Sequence, residues 1–329
     1  MSNTIGESPT AASAPPPPHE VEVLGRVLRV YSDGSIWRSD KPGIEVPVND
    51  GSVLWKDVLF NATHNLHSGF LRLPLTKLQF LLLPRRRLLH LFQDVAALPQ
   101  LLFEAVLRAP SRDHLPDYRL APENRLPAAI EDGYGAVKWL QAQAVAEEPD
   151  TWLTEVVDFS RVFISGDSSG GNIAHNLAVR LGAGSGELAP VRVRGYVYLA
   201  PFFGGSVRTR SEAEGPKEAP LTLELVDRFW RLSIPAGETT DHPLVNPFGP
   251  NSPNLEKMDL DPILVVVGGS DLLKDRAGEY AEKLKKWGKK VEYVEFEGEQ
   301  HDFFTTNPNS EPAKQVIILI NKFIVANSI

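Results

Sequence analysis

Residues 164–172 read Ile-Ser-Gly-Asp-Ser-Ser-Gly-Gly-Asn and lie between a short apolar run and a helical pattern. Within them, Gly-Asp-Ser-Ser-Gly matches G-x-S-x-G, with Ser168 at the centre. In this motif a serine occupies a tight turn between a strand and a helix, and small neighbours permit the bent backbone. The amide of Ser169 can then point at an anionic oxygen from the helix N-terminus. An ordinary helix-capping turn is the alternative for the same residues.

Strands and helices are predicted to alternate on both sides of this turn. Apolar runs predict strands at 53–60, 161–166, 191–203, 262–271 and 291–298, and periodic patterns predict helices at 128–145, 171–182, 221–232, 274–287 and 311–326. A hairpin is expected over 27–39, around Asp33 and Gly34. This order predicts an α/β fold, with a mostly parallel sheet covered by helices on both faces. The helix at 221–232 would belong to a small cap.

A nucleophilic serine needs a base and an acid that orients the base, and two residues placed after predicted strands could fill these roles. Asp271 follows one buried run, and His301 follows the next. The chain order Ser168, Asp271, His301 is that of α/β-hydrolases, with the imidazole accepting the serine proton and the carboxylate orienting the imidazole. Asp275 and Asp302 are the nearest rival acids, but one falls within the helix pattern and the other adjoins the histidine.

Composition excludes several classes of protein. A formal net charge of −8 argues against general nucleic-acid binding. Zero cysteines exclude disulfides and thiol chemistry, and the histidines show no metal-ligand spacing, so neither cofactor nor metal is expected. The sequence contains no run of 18 apolar residues, so no membrane span is predicted. The Pro, Ala and Ser content of residues 1–20 predicts a disordered leader, and no secretory signal is recognised there. We expect a cytoplasmic protein, with the nucleus as a second compartment.

Several motifs resemble those of the plant carboxylesterases, in the hormone-sensitive-lipase-like branch of the α/β-hydrolases. The similar stretches are DYRLAPENRLPAAIEDGYGAVKWL, GDSSGGNIAHNLAVR, RVRGYVYLAPFFGG, DHPLVNPFGP, ILVVVGGSDLLKDRAGEYAEKLKKWG and VEFEGEQHDFF. The resemblance implies cofactor-free hydrolysis of small plant metabolite esters by Ser168, His301 and Asp271, in one domain over 21–329. It also implies a cap built from the N-terminal segment and residues near 205–245. The family includes gibberellin receptors, which lack the histidine, and dehydratases.

One element of that family is missing. The family carries His-Gly-Gly-Gly-Phe before DYRLAPE, and its glycine amides supply further oxyanion donors; no His-Gly-Gly occurs here. The expected place is occupied by LLLPRRRLLHLF, residues 81–92. If Pro84 is encoded by CCA and the three arginines by CGG, followed by CTT, CTG and CAT, reading one nucleotide later gives His-Gly-Gly-Gly-Phe-Cys. We therefore hypothesise that residues 68–115 are translated out of frame, which resequencing of the transcript would test.

The same segment permits other interpretations. It can be read as an amphipathic leucine-rich helix with a basic face, although Pro84, Pro99 and Pro110 interrupt such a helix. If the frame is shifted, we expect the sheet to lose an inner strand and the oxyanion hole to keep only the Ser169 amide. The chain would then be a weak or inactive esterase, and its rivals are a non-catalytic small-molecule receptor and a non-functional product of a frameshifted gene. The oligomeric state is left open.

Overall fold

The structure is a computed structural model that describes residues 16–25, 27–39, 54–72, 78–82, 111–154, 157–215 and 219–328. The chain divides into two compact units, Met1–Pro42 and Gly43–Ile329. The boundary predicted at residue 21 stays a prediction, and the leader over 1–15 lies outside the described residues.

The first unit contains a three-stranded antiparallel sheet of β1 (Glu20–Leu24), β2 (Leu28–Tyr31) and β3 (Ile36–Arg38). The predicted hairpin is present between β2 and β3. Gly34 adopts a φ of 82°, and the Asp33 carboxylate accepts hydrogen bonds from the amide and hydroxyl of Ser35 at 2.9 and 2.6 Å. A glycine in the left-handed region and an aspartate bonded to the backbone two residues later are typical turn chemistry.

The second unit is built on an eight-stranded sheet in the order β11-β10-β9-β8-β6-β7-β5-β4. Its strands are β4 (Leu54–Asn61), β5 (Leu66–Arg72), β6 (Leu78–Leu82), β7 (Ser111–Pro116), β8 (Val157–Asp167), β9 (Val193–Leu199), β10 (Ile263–Gly268) and β11 (Val291–Phe296). From β11 to β7 neighbouring strands run parallel, whereas β5 is antiparallel to both β7 and β4.

Helices connect these strands. They are α1 (Ala128–Val145), α2 (Thr151–Thr154), α3 (Ser169–Leu181), α4 (Arg210–Glu214), α5 (Leu223–Ser233), α6 (Lys274–Lys286), α7 (Phe303–Thr306) and α8 (Glu311–Ala326), with a 3-10 turn at Gly186–Leu188. The bounds of α1 and α8 coincide with the predicted ones, and the cap helix α5 is displaced by one or two residues. The α/β-hydrolase fold expected from the sequence is confirmed.

The central strands are buried on both faces because successive side chains point to opposite sides of the sheet. On one face, Tyr196, Tyr198 and Val265 pack in a core that includes residues of α1 and α3. On the other face, Val197 and Leu264 pack in a core that includes residues of α8. Such strands read as continuous apolar runs, which is why the sequence located them.

The expected loss of an inner strand is wrong. β6 lies between β8 and β7 and pairs in parallel with both, with Phe80 opposite Val162 and Arg112. Its sequence, Leu-Gln-Phe-Leu-Leu, is apolar enough for an interior position, so the leucine-rich stretch supplies a strand up to Leu82. The proposed amphipathic helix is likewise wrong for Leu81 and Leu82, and the triple arginine lies outside the described residues.

Among the described residues, none of the helices combines the length and apolar character needed to cross a membrane.

Candidate active site

Ser168 occupies a sharp turn at the carboxyl end of β8, directly before α3. Its backbone has φ 53° and ψ −110°, and its side chain is fully buried. A non-glycine residue in this region of conformational space is strained and persists only when its surroundings enforce it. Here the Ser168 amide donates to the carbonyl of Leu199 at 2.8 Å, and the Ser168 carbonyl accepts from the amide of Phe202 at 2.9 Å. Strand β9 and the loop after it therefore hold the turn.

Close backbone approach requires glycine at two positions, Gly166 of the motif and Gly171 directly after it. A Cβ atom on Gly166 would lie 1.9 Å from the carbonyl oxygen of Gly170, and one on Gly171 would lie 2.9 Å from the Cα of Pro201. Real Cβ atoms do not make such contacts, so larger residues at these positions would displace the turn. The motif is thus built as the sequence predicts, with a serine between a strand and a helix.

The loops that carry Asp271 and His301 are joined at the same edge of the sheet. Ser270 donates its amide hydrogen to the Glu299 carbonyl at 2.8 Å. A Cβ atom on Gly268 would lie 2.4 Å from that same carbonyl oxygen, so only glycine allows the two loops to approach this closely. Because β8, β10 and β11 run parallel, the residues that follow them gather at one edge.

The structure brings Ser168, Asp271 and His301 together. Nε2 of His301 lies 3.0 Å from Oγ of Ser168, and Nδ1 lies 2.8 Å from Oδ2 of Asp271. The second carboxylate oxygen of Asp271 accepts a hydrogen bond from the Leu273 amide at 2.9 Å. All three side chains are at most 4% exposed. A buried carboxylate bonded to Nδ1 favours the tautomer that leaves Nε2 free to accept the serine proton.

The two rival acids lie in different places. Asp275 is on α6 and accepts a hydrogen bond from the Ser211 amide of the cap segment at 2.7 Å, so it is engaged elsewhere. Asp302 lies beside the imidazole, with Oδ1 3.4 Å from Nε2. It therefore contacts the nitrogen opposite to the one that Asp271 holds.

Ser169 occupies the first position of α3. Its amide is among the first four of the helix, which have no carbonyl partner inside the helix, and the helix dipole places partial positive charge there. The amide thus directly follows Ser168, which is where the G-x-S-x-G motif would place an oxyanion donor. The residues where the family has His-Gly-Gly-Gly lie outside the described residues.

A cavity lies next to this turn. Its lining includes Tyr118, Leu126, Ser169, Ile173, Phe202 and Trp230. The Tyr118 hydroxyl is 3.3 Å from the Ser169 hydroxyl, and the rings of Phe202 and Trp230 stack with their centroids 4.3 Å apart. The cavity is thus largely apolar, with a few hydroxyl and amide groups, as is typical of a small-molecule site.

The cap segment is tied to the hydrolase core by a buried ion pair. Arg276 of α6 forms a bidentate pair with the Glu212 carboxylate of α4, and also donates to the carbonyls of Gly205 and Val207 at 3.1 and 2.9 Å. A Cβ atom on Gly205 would lie 2.3 Å from the guanidinium. The pair fixes α4 against the helix that begins just after Asp271.

A second buried histidine, His175, has a structural environment. It lies on α3, its Nδ1 is 3.1 Å from the Tyr280 hydroxyl, and the rings of Phe203 and Tyr280 meet it edge-on. Complete burial lowers its pKa from 6.5 to about 3, so the imidazole is neutral. In the part of the chain that the structure describes, no three His, Asp or Glu side chains are grouped as metal ligands.

Sequence reasoning did not select the residues that line the cavity or anchor the cap. Tyr118 and Arg119 belong to the DYRLAPE stretch, and Arg119 pairs with buried Asp132 at 2.8 Å, which holds that stretch against α1. Charged residues of opposite sign 13 positions apart carry no local signal of contact. Trp230, in contrast, is an aromatic residue within a predicted cap helix, so the sequence could have indicated it as a pocket residue.

Comparison with known proteins gives the family. A family model described as alpha/beta hydrolase fold matches residues 92–305. This chain belongs to the α/β-hydrolase family, and its resemblance to plant carboxylesterases is confirmed. Probable carboxylesterase 4, mitochondrial, of Arabidopsis thaliana is 34% identical over 314 residues, which cover 90% of this chain and 81% of that protein.

Two other relatives are named for different functions. A 2-hydroxyisoflavanone dehydratase of Glycyrrhiza echinata is 40% identical over 220 residues, covering 64% of both chains. The gibberellin receptor GID1C of Arabidopsis thaliana is 39% identical over 211 residues, covering 64% of this chain and 58% of the receptor. This chain thus spans less than two thirds of the length of either relative.

A solved structure has the same fold. The hyperthermophilic esterase from the archaeon Pyrobaculum calidifontis superposes with a TM-score of 0.68 at 25% identity, over 83% of this chain and 82% of that one. The chain is therefore a carboxylesterase-like α/β-hydrolase.

Proposed function

We propose that this protein hydrolyses carboxylic esters of small plant metabolites through an acyl-enzyme intermediate on Ser168. The observation that carries the proposal is the buried series of contacts from Asp271 through His301 to the Ser168 hydroxyl, at 2.8 and 3.0 Å. The 3.0 Å contact lies within the range that proton transfer between a nucleophile and its base requires, and the 2.8 Å contact holds the base in orientation.

In the first half of the reaction, Nε2 of His301 takes the proton from Oγ of Ser168 as Oγ attacks the ester carbonyl carbon. The carbonyl oxygen becomes an oxyanion, which the Ser169 amide at the start of α3 stabilises. Asp271 stabilises the imidazolium and stays ionised. The tetrahedral intermediate collapses, the carbon–oxygen bond to the alcohol breaks, and the departing alkoxide takes the proton from Nε2.

In the second half, water enters and His301 takes one of its protons. The resulting hydroxide attacks the acyl carbon, and the second tetrahedral intermediate expels Ser168 Oγ, which recovers its proton from Nε2. The carboxylic acid leaves and the site is restored. No cofactor enters either half.

The rate depends on how many donors meet the oxyanion. Removal of one oxyanion donor typically costs about 100- to 1,000-fold in kcat. No His-Gly-Gly occurs in the sequence, so the glycine donors of the family motif are missing. We therefore expect turnover well below that of an esterase that has the complete motif.

The substrate class follows from the cavity beside Ser169. An apolar pocket with stacked aromatic rings suits a compact apolar group, with the ester carbon held at the neighbouring serine. The relative named as a probable carboxylesterase supports an ester as substrate. Short acyl esters of aromatic or aliphatic alcohols are suitable first probes.

The test is hydrolysis of p-nitrophenyl acetate by the purified full chain, with Ser168→Ala as its matched control. We expect serine-dependent release of p-nitrophenol and a covalent label on Ser168 from a fluorophosphonate. Folded protein whose turnover equals that of Ser168→Ala would overturn the proposal.

A non-catalytic small-molecule receptor is the second candidate, and the missing glycine donors favour it. The related gibberellin receptor supports this alternative. If the protein binds a small organic acid or ester without consuming it, and Ser168→Ala binds equally well, the receptor function is supported. Elimination of water, rather than ester hydrolysis, would be detected as loss of 18 mass units from a hydroxylated substrate and would point to the dehydratase-like activity.

The hypothesis of a non-functional product makes a separate prediction. Restoring the shifted frame over 68–115 would introduce the His-Gly-Gly-Gly sequence. If that chain is soluble and active whereas the present one is neither, the present sequence is the product of a disrupted gene. A transcript whose nucleotides encode residues 68–115 without an insertion or deletion would contradict the hypothesis.

A further inference from the structure

Asp302 has an unusual setting for a residue that precedes a helix. It holds the N-cap position of α7, yet its carboxylate accepts no capping hydrogen bond from the described amides of that turn. An aspartate at this position normally accepts from the second or third helical amide. Its backbone lies in the left-handed region with φ 58°, and the residue is 4% exposed. The side chain of Asp302 therefore does not cap α7.

The carboxylate is directed at the imidazole instead. Oδ1 of Asp302 lies 3.4 Å from Nε2 of His301, the same nitrogen that is 3.0 Å from the Ser168 hydroxyl. Asp271, from the loop after β10, meets the opposite nitrogen at 2.8 Å. The structure thus places one carboxylate at each nitrogen of the imidazole.

The sign of this contact depends on the proton at Nε2. In the resting neutral imidazole Nε2 carries a lone pair, and a nearby carboxylate oxygen is unfavourable. After Ser168 transfers its proton, Nε2 carries N–H on a cation, and the same carboxylate is favourable. Interactions that are stronger in the transition state than in the ground state accelerate a reaction. The contact with Asp302 has this property.

We propose that Asp302 is a positioning residue, a second carboxylate that stabilises protonated Nε2 of His301 during both halves of the reaction. The inference rests on the proposed function. Asp302 itself exchanges no proton: the proton moves from Ser168 to Nε2 and from Nε2 to the leaving alkoxide. The charge of Asp302 holds the imidazolium in the interval between these transfers.

The first test measures the imidazole directly and needs no turnover. The titration of His301 is followed by NMR in the full chain with nitrogen-15-labelled histidine, and its signal among the eight histidines is assigned with His301→Gln. In Asp302→Asn the midpoint of the His301 titration should fall by about one pH unit or more, since an opposite charge at this distance favours the protonated form. Asparagine also tolerates the left-handed backbone.

Glu297→Gln is the matched control. It removes one negative charge from the same loop, but Glu297 is exposed and its charge is screened by solvent. It should leave the His301 midpoint within about 0.3 pH unit of the unmodified protein, in the range expected for a screened surface charge. Asp302→Gly is a second variant, because glycine adopts a positive φ without strain, and it should lower the midpoint in the same direction.

The second test is the pH profile of ester hydrolysis. In Asp302→Asn the acidic limb of kcat/KM should move to lower pH by the same interval, and the plateau of kcat should fall roughly tenfold while KM changes less. Equal His301 midpoints in the unmodified protein and in both Asp302 variants would overturn the inference. A lowered midpoint in a chain without serine-dependent turnover would reject the proposed function alone and keep Asp302 as the partner of Nε2.

Discussion

We expect His175 to make the stability of this protein depend on pH. Burial lowers the pKa of this imidazole from 6.5 to about 3 in the folded state. When the pH falls below 6.5, the unfolded chain takes up a proton that the folded protein does not accept until about pH 3. The unfolded state is therefore favoured progressively across this window, and stability decreases as the pH falls.

The magnitude follows from the two pKa values. At 1.36 kcal/mol per pH unit, the interval from 6.5 to about 3 corresponds to about 5 kcal/mol between neutral pH and pH 3. By pH 5 the loss relative to pH 8 is about 2 kcal/mol, since the unfolded imidazole is already almost fully protonated. This is a large share of the roughly 5–15 kcal/mol that stabilises a typical domain.

The assay is urea unfolding at pH 5 and pH 8 for the unmodified protein and for His175→Gln, which keeps a hydrogen-bonding group near Tyr280. The substitution should lower the free energy of unfolding at both pH values because it disturbs packing against Phe203 and Tyr280. It should also reduce the difference between pH 8 and pH 5 by about 2 kcal/mol. His64→Gln, at an exposed turn, is the matched control and should leave that difference unchanged. If His175→Gln keeps the full difference, the reasoning is refuted.

Three further predictions concern the candidate site and its supports. Asp271→Asn should lower kcat on p-nitrophenyl acetate by up to roughly 10⁴-fold with little change in fold, because the imidazole tautomer is no longer held. Gly166→Ala should lower the free energy of unfolding by about 1–3 kcal/mol and reduce labelling of the serine, because its Cβ meets the carbonyl of Gly170. Arg276→Met should cost about 3–5 kcal/mol in urea unfolding, since it leaves the Glu212 carboxylate buried without its partner.

Each of these predictions has a control. Asp275→Asn removes a carboxylate that faces the cap segment rather than the imidazole, and equal losses of kcat in both aspartate variants would contradict the role of Asp271. Gly135→Ala adds a methyl group where nothing lies within 4 Å, so an equal cost there would contradict the steric argument. The double variant Arg276→Met, Glu212→Gln should be more stable than Arg276→Met alone, because the buried carboxylate charge is removed. A double variant that is less stable than Arg276→Met would contradict a charge effect.

Much of the fold was predictable because the informative segments carry strong local patterns. The continuous apolar run at Ile263–Gly268 predicts a buried strand, and the helical periodicity at Glu311–Ala326 predicts a helix. The inner strand β6 was misjudged, because its expectation relied on the family sequence rather than on the residues present. Leu-Gln-Phe-Leu-Leu satisfies the requirements of a buried parallel strand by itself.

The set Ser168, Asp271 and His301 was predictable for a topological reason. Residues that follow parallel strands meet at one edge of the sheet, so chain order and strand ends were sufficient. The part played by Asp302 was not predictable, because it depends on the left-handed backbone at that residue. From the sequence, Asp302 was rejected as the orienting acid because it adjoins the histidine. In the structure its carboxylate lies near Nε2.

The sequence by itself determined the order of strands and helices, the turn around Ser168 and the serine, histidine and aspartate that follow parallel strands. These are local properties, set by hydrophobic periodicity and by the glycines that a tight turn needs. Only the tertiary structure decided which carboxylate meets which nitrogen of His301, how Arg276 reaches Glu212, and that a cavity lies beside Ser169. Those facts depend on distances between segments far apart in the chain, and packing determines them after each segment has taken its own conformation.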